Sequence, residues 1–258
     1  MPTENPLKTI LDETRALLEQ AGGSRRTVML SAEVAAALDR VEGSPAPRAA
    51  AAPADAALRA DAPAADPADA HTLEELAEMV RGCTRCGLSA TRTQTVFGQG
   101  SATAELVFVG EAPGEQEDRQ GVPFVGRAGD LLTDIIVKGM KLRREDVYIC
   151  NVLKCRPPGN RDPEVEEVHF CEPYLLRQLE LLKPKVICAL GRHAAQTLLR
   201  TDAPTGRLRG RWHDYHGIPF RVTYHPAYLL RKPQEKRKAW EDIQEVMKVL
   251  SGEVSPGP

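Results

Sequence analysis

The stretch ELVFVGEAPGEQED, residues 105–118, runs from a short apolar segment into a loop dense in glycine and acids. Four apolar residues halted by glycine suit a buried strand, because a strand covered on both faces needs no polar alternation. The same grammar recurs downstream. VYICNVL (147–153), KVICALG (185–191) and PFRVTYH (219–225) read as three more strands. Between them lie helix-like segments at 127–140, 163–182 and 192–200, and a closing one at 233–250. Another at 72–81 precedes the first strand, with Thr72 and Glu75 at capping-box spacing. Strands alternating with helices predict an α/β fold: a three-layer α/β/α sandwich around a four-stranded, mainly parallel central sheet. Ligands of such sheets bind where the strands end at their carboxyl edge. That rule gathers Gly110–Glu117, Asn151, Gly191 and His225 at one place.

The rest of the chain is organised around this domain, expected over residues 71–251. Residues 5–21 repeat Leu7, Ile10, Leu11, Leu17 and Leu18 at near-helical spacing, and 27–42 suit a second short helix, so 1–43 read as a helical extension. Residues 44–70 are almost entirely Ala, Pro and Asp, too poor in bulky apolar groups to offset ordering entropy, and read as a flexible linker. Residues 252–258 read as a disordered tail. No apolar run reaches membrane-spanning length, and the N-terminus lacks a basic start and apolar core, so the expectation is a cytoplasmic protein with no membrane partner. The net charge of −2 hides an asymmetry: residues 200–238 carry 10 basic and 3 acidic residues. Such a stretch can be a solvated face or the footprint of a polyanion.

Six cysteines separate into two kinds. Cys150 and Cys188 sit inside apolar strand runs and read as core. Cys83 and Cys86 form a C-x-x-C pair, and Cys155 and Cys171 lie in polar, proline-rich or helical surroundings. Four such thiols suit Zn²⁺ or an iron–sulfur cluster, against the alternative of unrelated reduced cysteines. The segment GEAPGEQEDRQGVPFVGRAG (110–129) is no phosphate loop, since it lacks a G-K-[ST] ending and its acids repel phosphate. Its Phe124 offers a flat ring that could stack on a base or simply fill core. Asn151 offers a donor and an acceptor, matching a nucleobase edge, or else it caps a strand end. His225 precedes Pro226 at a strand end, where an imidazole can donate to a developing anion. His169, His193, His213 and His216 read as structural or surface residues.

Taken together, C-T-R-C (83–86), G-E-A-P-G-E (110–115), P-F-V-G-R-A-G (123–129), N-V-L-K-C-R-P-P (151–158), F-C-E-P-Y-L (170–175) and H-P-A-Y-L-L-R (225–231) resemble the family 4, iron–sulfur branch of the uracil-DNA glycosylases. The resemblance covers roughly residues 72–250. It implies a base-excision repair enzyme acting on uracil-containing DNA as a monomer in the cytoplasm, at the nucleoid. It implies a [4Fe–4S] cluster on Cys83, Cys86, Cys155 and Cys171, with zinc as the alternative. Phe124 would stack on the extruded uracil and Asn151 read its polar edge, with Gly110 and Ala112 in the same binding set. His225 would stabilise the departing base, and Glu111 and Glu117 would line the pocket, Glu117 as a candidate to position water.

The same resemblance implies a wedge from the residues after His225, with Leu229 filling the vacated stack and Arg231 holding phosphate. In the best-known branch of the superfamily, the first motif carries a water-activating Asp and a thymine-excluding Tyr; Ala112 and Gly114 hold those slots here. Another branch traps uracil covalently through a basic insertion ending in histidine, and CRPPGNRDPEVEEV (155–168) is not such an insertion. Two other readings stay open: a module that binds uracil or damaged DNA without cleaving it, and a zinc-stapled nucleotide hydrolase. The N-terminal helix could dock a protein partner or be a dispensable extension.

Overall fold

The computed structural model describes residues 66–255; the helical readings at 5–21 and 27–42, most of the linker and the last three residues lie outside them. The described chain opens with a turn, Pro67–Asp69, capped by the Asp66 carboxylate. Ala70 is buried against Leu76, Val80 and Tyr174, so packed structure starts a few residues before His71.

Six strands form one sheet: β1 (Gln99–Gly100), β2 (Leu106–Gly110), β3 (Tyr148–Asn151), β4 (Val186–Leu190), β5 (Trp212–Tyr215) and β6 (Ile218–Thr223). Their spatial order is β1-β3-β2-β4-β6-β5. The four inner strands are parallel and are the four expected ones. The correction is at the two edges, where β1 and β5 add antiparallel strands. β5 returns into β6 through His216 and Gly217, both at positive φ (52° and 82°), which a two-residue hairpin turn demands.

Helices cover both faces. In chain order they are α1 (Leu73–Arg81), α2 (Glu115–Gln120), α3 (Gly126–Asp134), α4 (Val165–Leu182), α5 (Arg192–Leu199), α6 (Thr205–Leu208), α7 (Pro226–Arg231) and α8 (Lys236–Leu250). α1 opens with the capping box that Thr72 and Glu75 announced. The helix expected over 127–140 is α3 followed by a π-helical turn, Ile135–Gly139. Alternate residues of the inner strands serve the two faces. Leu106, Phe108 and Ile149 pack with Leu132, Ile136 and Ile243 from the α3 and α8 side. Val107, Val109 and Cys150 pack with Leu175, Leu179 and Ala195 from the α4 and α5 side. Cys150 and Cys188 are core, as their apolar flanks implied.

One buried ionic cluster ties the closing helix to the sheet. Asp242 of α8 accepts from Arg209 Nε at 3.0 Å, from Arg221 Nη2 at 3.3 Å and from the Gly210 amide at 3.2 Å. Arg221 is 4% exposed, and Asp242 is the ion-pair partner of both guanidiniums. Removing one partner of a buried ion pair costs about 3–5 kcal/mol, because the other charge is left without compensation. Asp242→Ala is therefore expected to lose about that much in urea unfolding; a loss below about 1 kcal/mol would show that the cluster is dispensable.

Candidate active site

β2 and β3 end in register, with Gly110 opposite Asn151. A side chain on Gly110 would not fit: its Cβ would lie 2.3 Å from Asn151 Oδ1 and 2.6 Å from Phe124 Cζ. The missing side chain is what lets the amide and the ring converge on one spot. Gly191, at the end of β4, does the same for the imidazole. Its φ is +93°, and its Cβ would sit 2.9 Å from the Cβ of His225. The centroids of the His225 and Phe124 rings are 5.4 Å apart. Phe124, Asn151 and His225 thus line one cavity of about 450 Å³, within the size range of small-molecule sites. Glu111, Ala112, Gly114, Glu117, Tyr228 and Arg231 line it too.

Asn151 is 2% exposed, and its Oδ1 accepts no hydrogen bond. An unsatisfied buried acceptor costs about 1–3 kcal/mol, so its presence in a cavity points to a ligand that brings a donor. The strand end itself is held from below: the buried ammonium of Lys154 donates to Asn151 O at 2.7 Å and also reaches Gln178 Oε1.

His225 presents a defined tautomer. The Ala227 amide donates to its Nδ1 at 3.1 Å, so the neutral ring carries its proton on Nε2. Burial pushes its pKa down to about 4, assisted by the positive charge of Arg231. The ring is therefore a neutral Nε2–H donor across the physiological range. The sign for stability follows from the same shift. Between about pH 6.5 and 4 the unfolded chain binds a proton at this position that the folded chain resists, so acid weakens the fold over that window. In ¹⁵N NMR, His225 is expected to keep a bare Nδ1 and a protonated Nε2 at pH 5.5; an imidazolium signal at pH 6 would contradict this.

The two glutamates differ. Glu117 Oε1 accepts from the Val125 amide at 3.0 Å and so anchors the residue after Phe124. Gly114 leaves room for the other oxygen, since a Cβ there would lie 2.7 Å from Glu117 Oε2. Glu111 reaches outward to His193, with 3.8 Å from Oε2 to Nε2. Burial raises the Glu111 pKa, opposed by His193 and Arg192 and reinforced by Asp162. Oxygen and nitrogen atoms of Glu111, Asp162 and His193 lie within 4.8 Å of one another. Arg192 donates to Asp162 at 3.0 Å, which makes the group an ion-paired network.

Some supporting residues escaped the sequence reading. Arg144 donates to the Pro123 and Phe124 carbonyls, at 2.9 and 3.0 Å, and to Thr133 Oγ1 at 2.9 Å. It pins Phe124, which stands at a left-handed φ of 52°. Arg161 lines the cavity while its guanidinium clasps Glu167 at 2.9 and 2.5 Å. His193, read as structural, lies 3.8 Å from Glu111 and lines a neighbouring cavity with it. Only spatial neighbours distinguish these residues; no local pattern marks them.

Leu229 is buried rather than presented. It lies in α7 and is 1% exposed, bordering one cavity with Leu131, Ile135 and Trp240. Helical spacing places it with Pro226 on the inner face, so it does not present to solvent as a wedge must. Arg231 is exposed at the cavity mouth, as expected of a phosphate contact.

All four candidate ligand cysteines line a single small cavity, together with Arg92, Lys154, Phe170 and Tyr174. None forms a disulfide. Arg92 Nη1 donates to Cys155 Sγ and the Lys154 amide to Cys171 Sγ, both at 3.2 Å. Burial, reinforced by the neighbouring cysteines, raises the pKa of Cys86 and Cys155 and pushes Cys171 up to about 12. Four converging cysteines, Cys155 buried and the others half-buried, two of them receiving N–H donors, fit a soft cationic centre whose charge favours thiolates.

The model of the uracil DNA glycosylase superfamily matches residues 97–244. The type-4 uracil-DNA glycosylase of Archaeoglobus fulgidus is 46% identical over 183 residues, covering 68% of this chain and 92% of the relative. That of Thermotoga maritima is 44% identical over 188 residues, covering 70% and 96%. That of Saccharolobus solfataricus is 43% identical over 187 residues, covering 69% and 87%. The chain belongs to the uracil DNA glycosylase superfamily and, within it, to the type-4 uracil-DNA glycosylases.

Proposed function

We propose that this protein removes uracil from DNA by flipping the nucleotide out of the strand and hydrolysing its N-glycosidic bond, leaving an abasic site. The observation that carries the proposal is the slot built around Gly110, where Asn151 Oδ1 waits without a donor beside the Phe124 ring. Uracil brings a donor at N3 and acceptors at O2 and O4. Its N3–H satisfies Asn151 Oδ1, and the amide Nδ2 is free to face O4. Cytosine has an acceptor at N3, which would leave Oδ1 facing a lone pair, and a site with unpaired buried groups rejects its ligand strongly.

Bond cleavage puts positive charge on the sugar and negative charge on the departing uracil. The Nε2–H of neutral His225 donates to O2 as that charge develops, which stabilises the transition state more than the substrate. Phe124 stacks on the base and holds it in line. Glu111 lines the cavity, and burial raises its pKa, as suits a group that accepts a proton from water. Glu117 keeps the Phe124 turn in place through Val125 and orients water with its second oxygen. Arg231 and its basic neighbours bind phosphate.

Cys83, Cys86, Cys155 and Cys171 hold a [4Fe–4S] cluster in this reading. When bound, it supplies a rigid cross-link rather than a reaction step. The cross-link joins the C-x-x-C turn after α1, the loop after β3 and helix α4, and so braces the strand end that carries Asn151. The enzyme acts as a monomer on DNA at the nucleoid, and residues 1–43 either dock a protein partner or are a dispensable extension. No helix among the described residues is long and apolar enough to cross a membrane.

The test is release of free uracil and an alkali-labile abasic site from uracil-containing oligonucleotides, with thymine and hypoxanthine controls. His225→Ala should slow single-turnover excision by about 10²- to 10³-fold while DNA affinity stays. Asn151→Asp should abolish uracil release. Binding without product in the wild type would replace the enzyme with a non-cleaving uracil-binding module. For the cluster, anaerobically purified protein should be brown and contain iron and acid-labile sulfide in equal amounts, both lost in Cys171→Ser. A colourless protein with stoichiometric zinc would refute the assignment.

A further inference from the structure

Helix α7 divides its side chains by periodicity. Pro226 and Leu229 are buried, whereas Ala227, Tyr228 and Arg231 line the active-site cavity. Tyr228 and Arg231 are three residues apart and share a face. Tyr228 therefore stands at the cavity rim between His225 and the exposed Arg231. Its ring does not stand alone. It lies against Tyr224, with centroids 5.0 Å apart and planes at 33°. Behind Tyr224 comes the Arg209 guanidinium, 5.3 Å from that ring's centroid. Arg209 is fixed in turn by Asp242 at 3.0 Å. A half-buried aromatic side chain at the mouth of a polar cavity, backed by a second ring and an anchored cation, is a braced flat surface.

Resting on the glycosylase reading, we infer that Tyr228 is the side chain that enters the base stack when uracil leaves it, and that Tyr224 and Arg209 brace it. A flipped nucleotide leaves two neighbouring bases without a partner between them. A flat ring restores stacking on either of them, whatever their sequence. Leu229 is 1% exposed on the inner face of α7, bordering a cavity with Trp240, so it cannot reach a base stack without that helix moving. Tyr228 already stands at the rim. In single-stranded DNA the base is already free of a paired stack, so the contribution of Tyr228 concerns duplex DNA above all.

The experiment compares the full-length wild type with Tyr228→Ala, Tyr228→Gln, Tyr228→Phe and Leu230→Ala on uracil in duplex and in single strands under single-turnover conditions. Tyr228→Ala and Tyr228→Gln should lose roughly ten- to a hundredfold on the duplex. On single strands they should change by less than about threefold, a window well below one stacking contact. Tyr228→Phe should restore the duplex rate, since the ring and not the hydroxyl does the work. Equal losses on both substrates, or release of thymine by Tyr228→Ala, would put Tyr228 on the base inside the pocket and overturn the inference. So would an unchanged duplex rate, or the duplex-selective loss appearing in Leu230→Ala instead. If the wild type releases no uracil even from single strands, the function itself fails, and this inference with it.

Discussion

Gly110 has no side chain, and the site depends on that fact. The space its Cβ would take is filled by the amide oxygen of Asn151 from the neighbouring strand and by the edge of Phe124 from the loop beyond. Parallel pairing of β2 and β3 brings Gly110 and Asn151 side by side at the same edge. Gly191, at the end of β4, admits His225 in the same way. Two glycines at two strand ends therefore let an aromatic ring, an amide and an imidazole approach closely enough to hold one flat base. The parallel sheet matters for function because it puts all these ends on one side.

Around that slot the chain is braced with buried polar groups rather than apolar packing alone. Arg144 grips the two carbonyls that shape the Phe124 turn, and Lys154 grips the carbonyl of Asn151. Lys154 also stands next to Cys155, and its amide faces Cys171. In the proposed holoenzyme the metal centre and the base-reading strand end are consequently neighbours within one short stretch, NVLKC. A cross-link there limits motion of Asn151 without touching substrate. Preorganised groups of this kind stabilise charge without reorganising during the reaction.

Much of this was legible from the chain. The four inner strands announced themselves as apolar runs, and strand-end logic collected Gly110, Asn151, Gly191 and His225, while Phe124 entered through the loop motif it belongs to. The edge strands were hidden for physical reasons. β1 is two residues long, and β5 turns through His216 at positive φ, where glycine or asparagine is the usual signal. α2 was read as an acidic loop because EQEDRQ has no apolar face. The wedge reading of HPAYLLR took no account of helical period; once the segment coils into α7, that period turns Leu229 inward and Tyr228 outward. Arg144 and His193 act through neighbours far away in sequence, which no local pattern encodes.

The central claim is that the unsatisfied oxygen of Asn151 exists to receive a donor from a flat pyrimidine held by Phe124 and His225. A crystal structure of the protein soaked with free uracil tests it most directly. The account predicts the base stacked on the Phe124 ring, with N3–H on Asn151 Oδ1 and O2 on His225 Nε2. Uracil bound elsewhere, or bound in the cavity with Asn151 Oδ1 still lacking a donor, would contradict it.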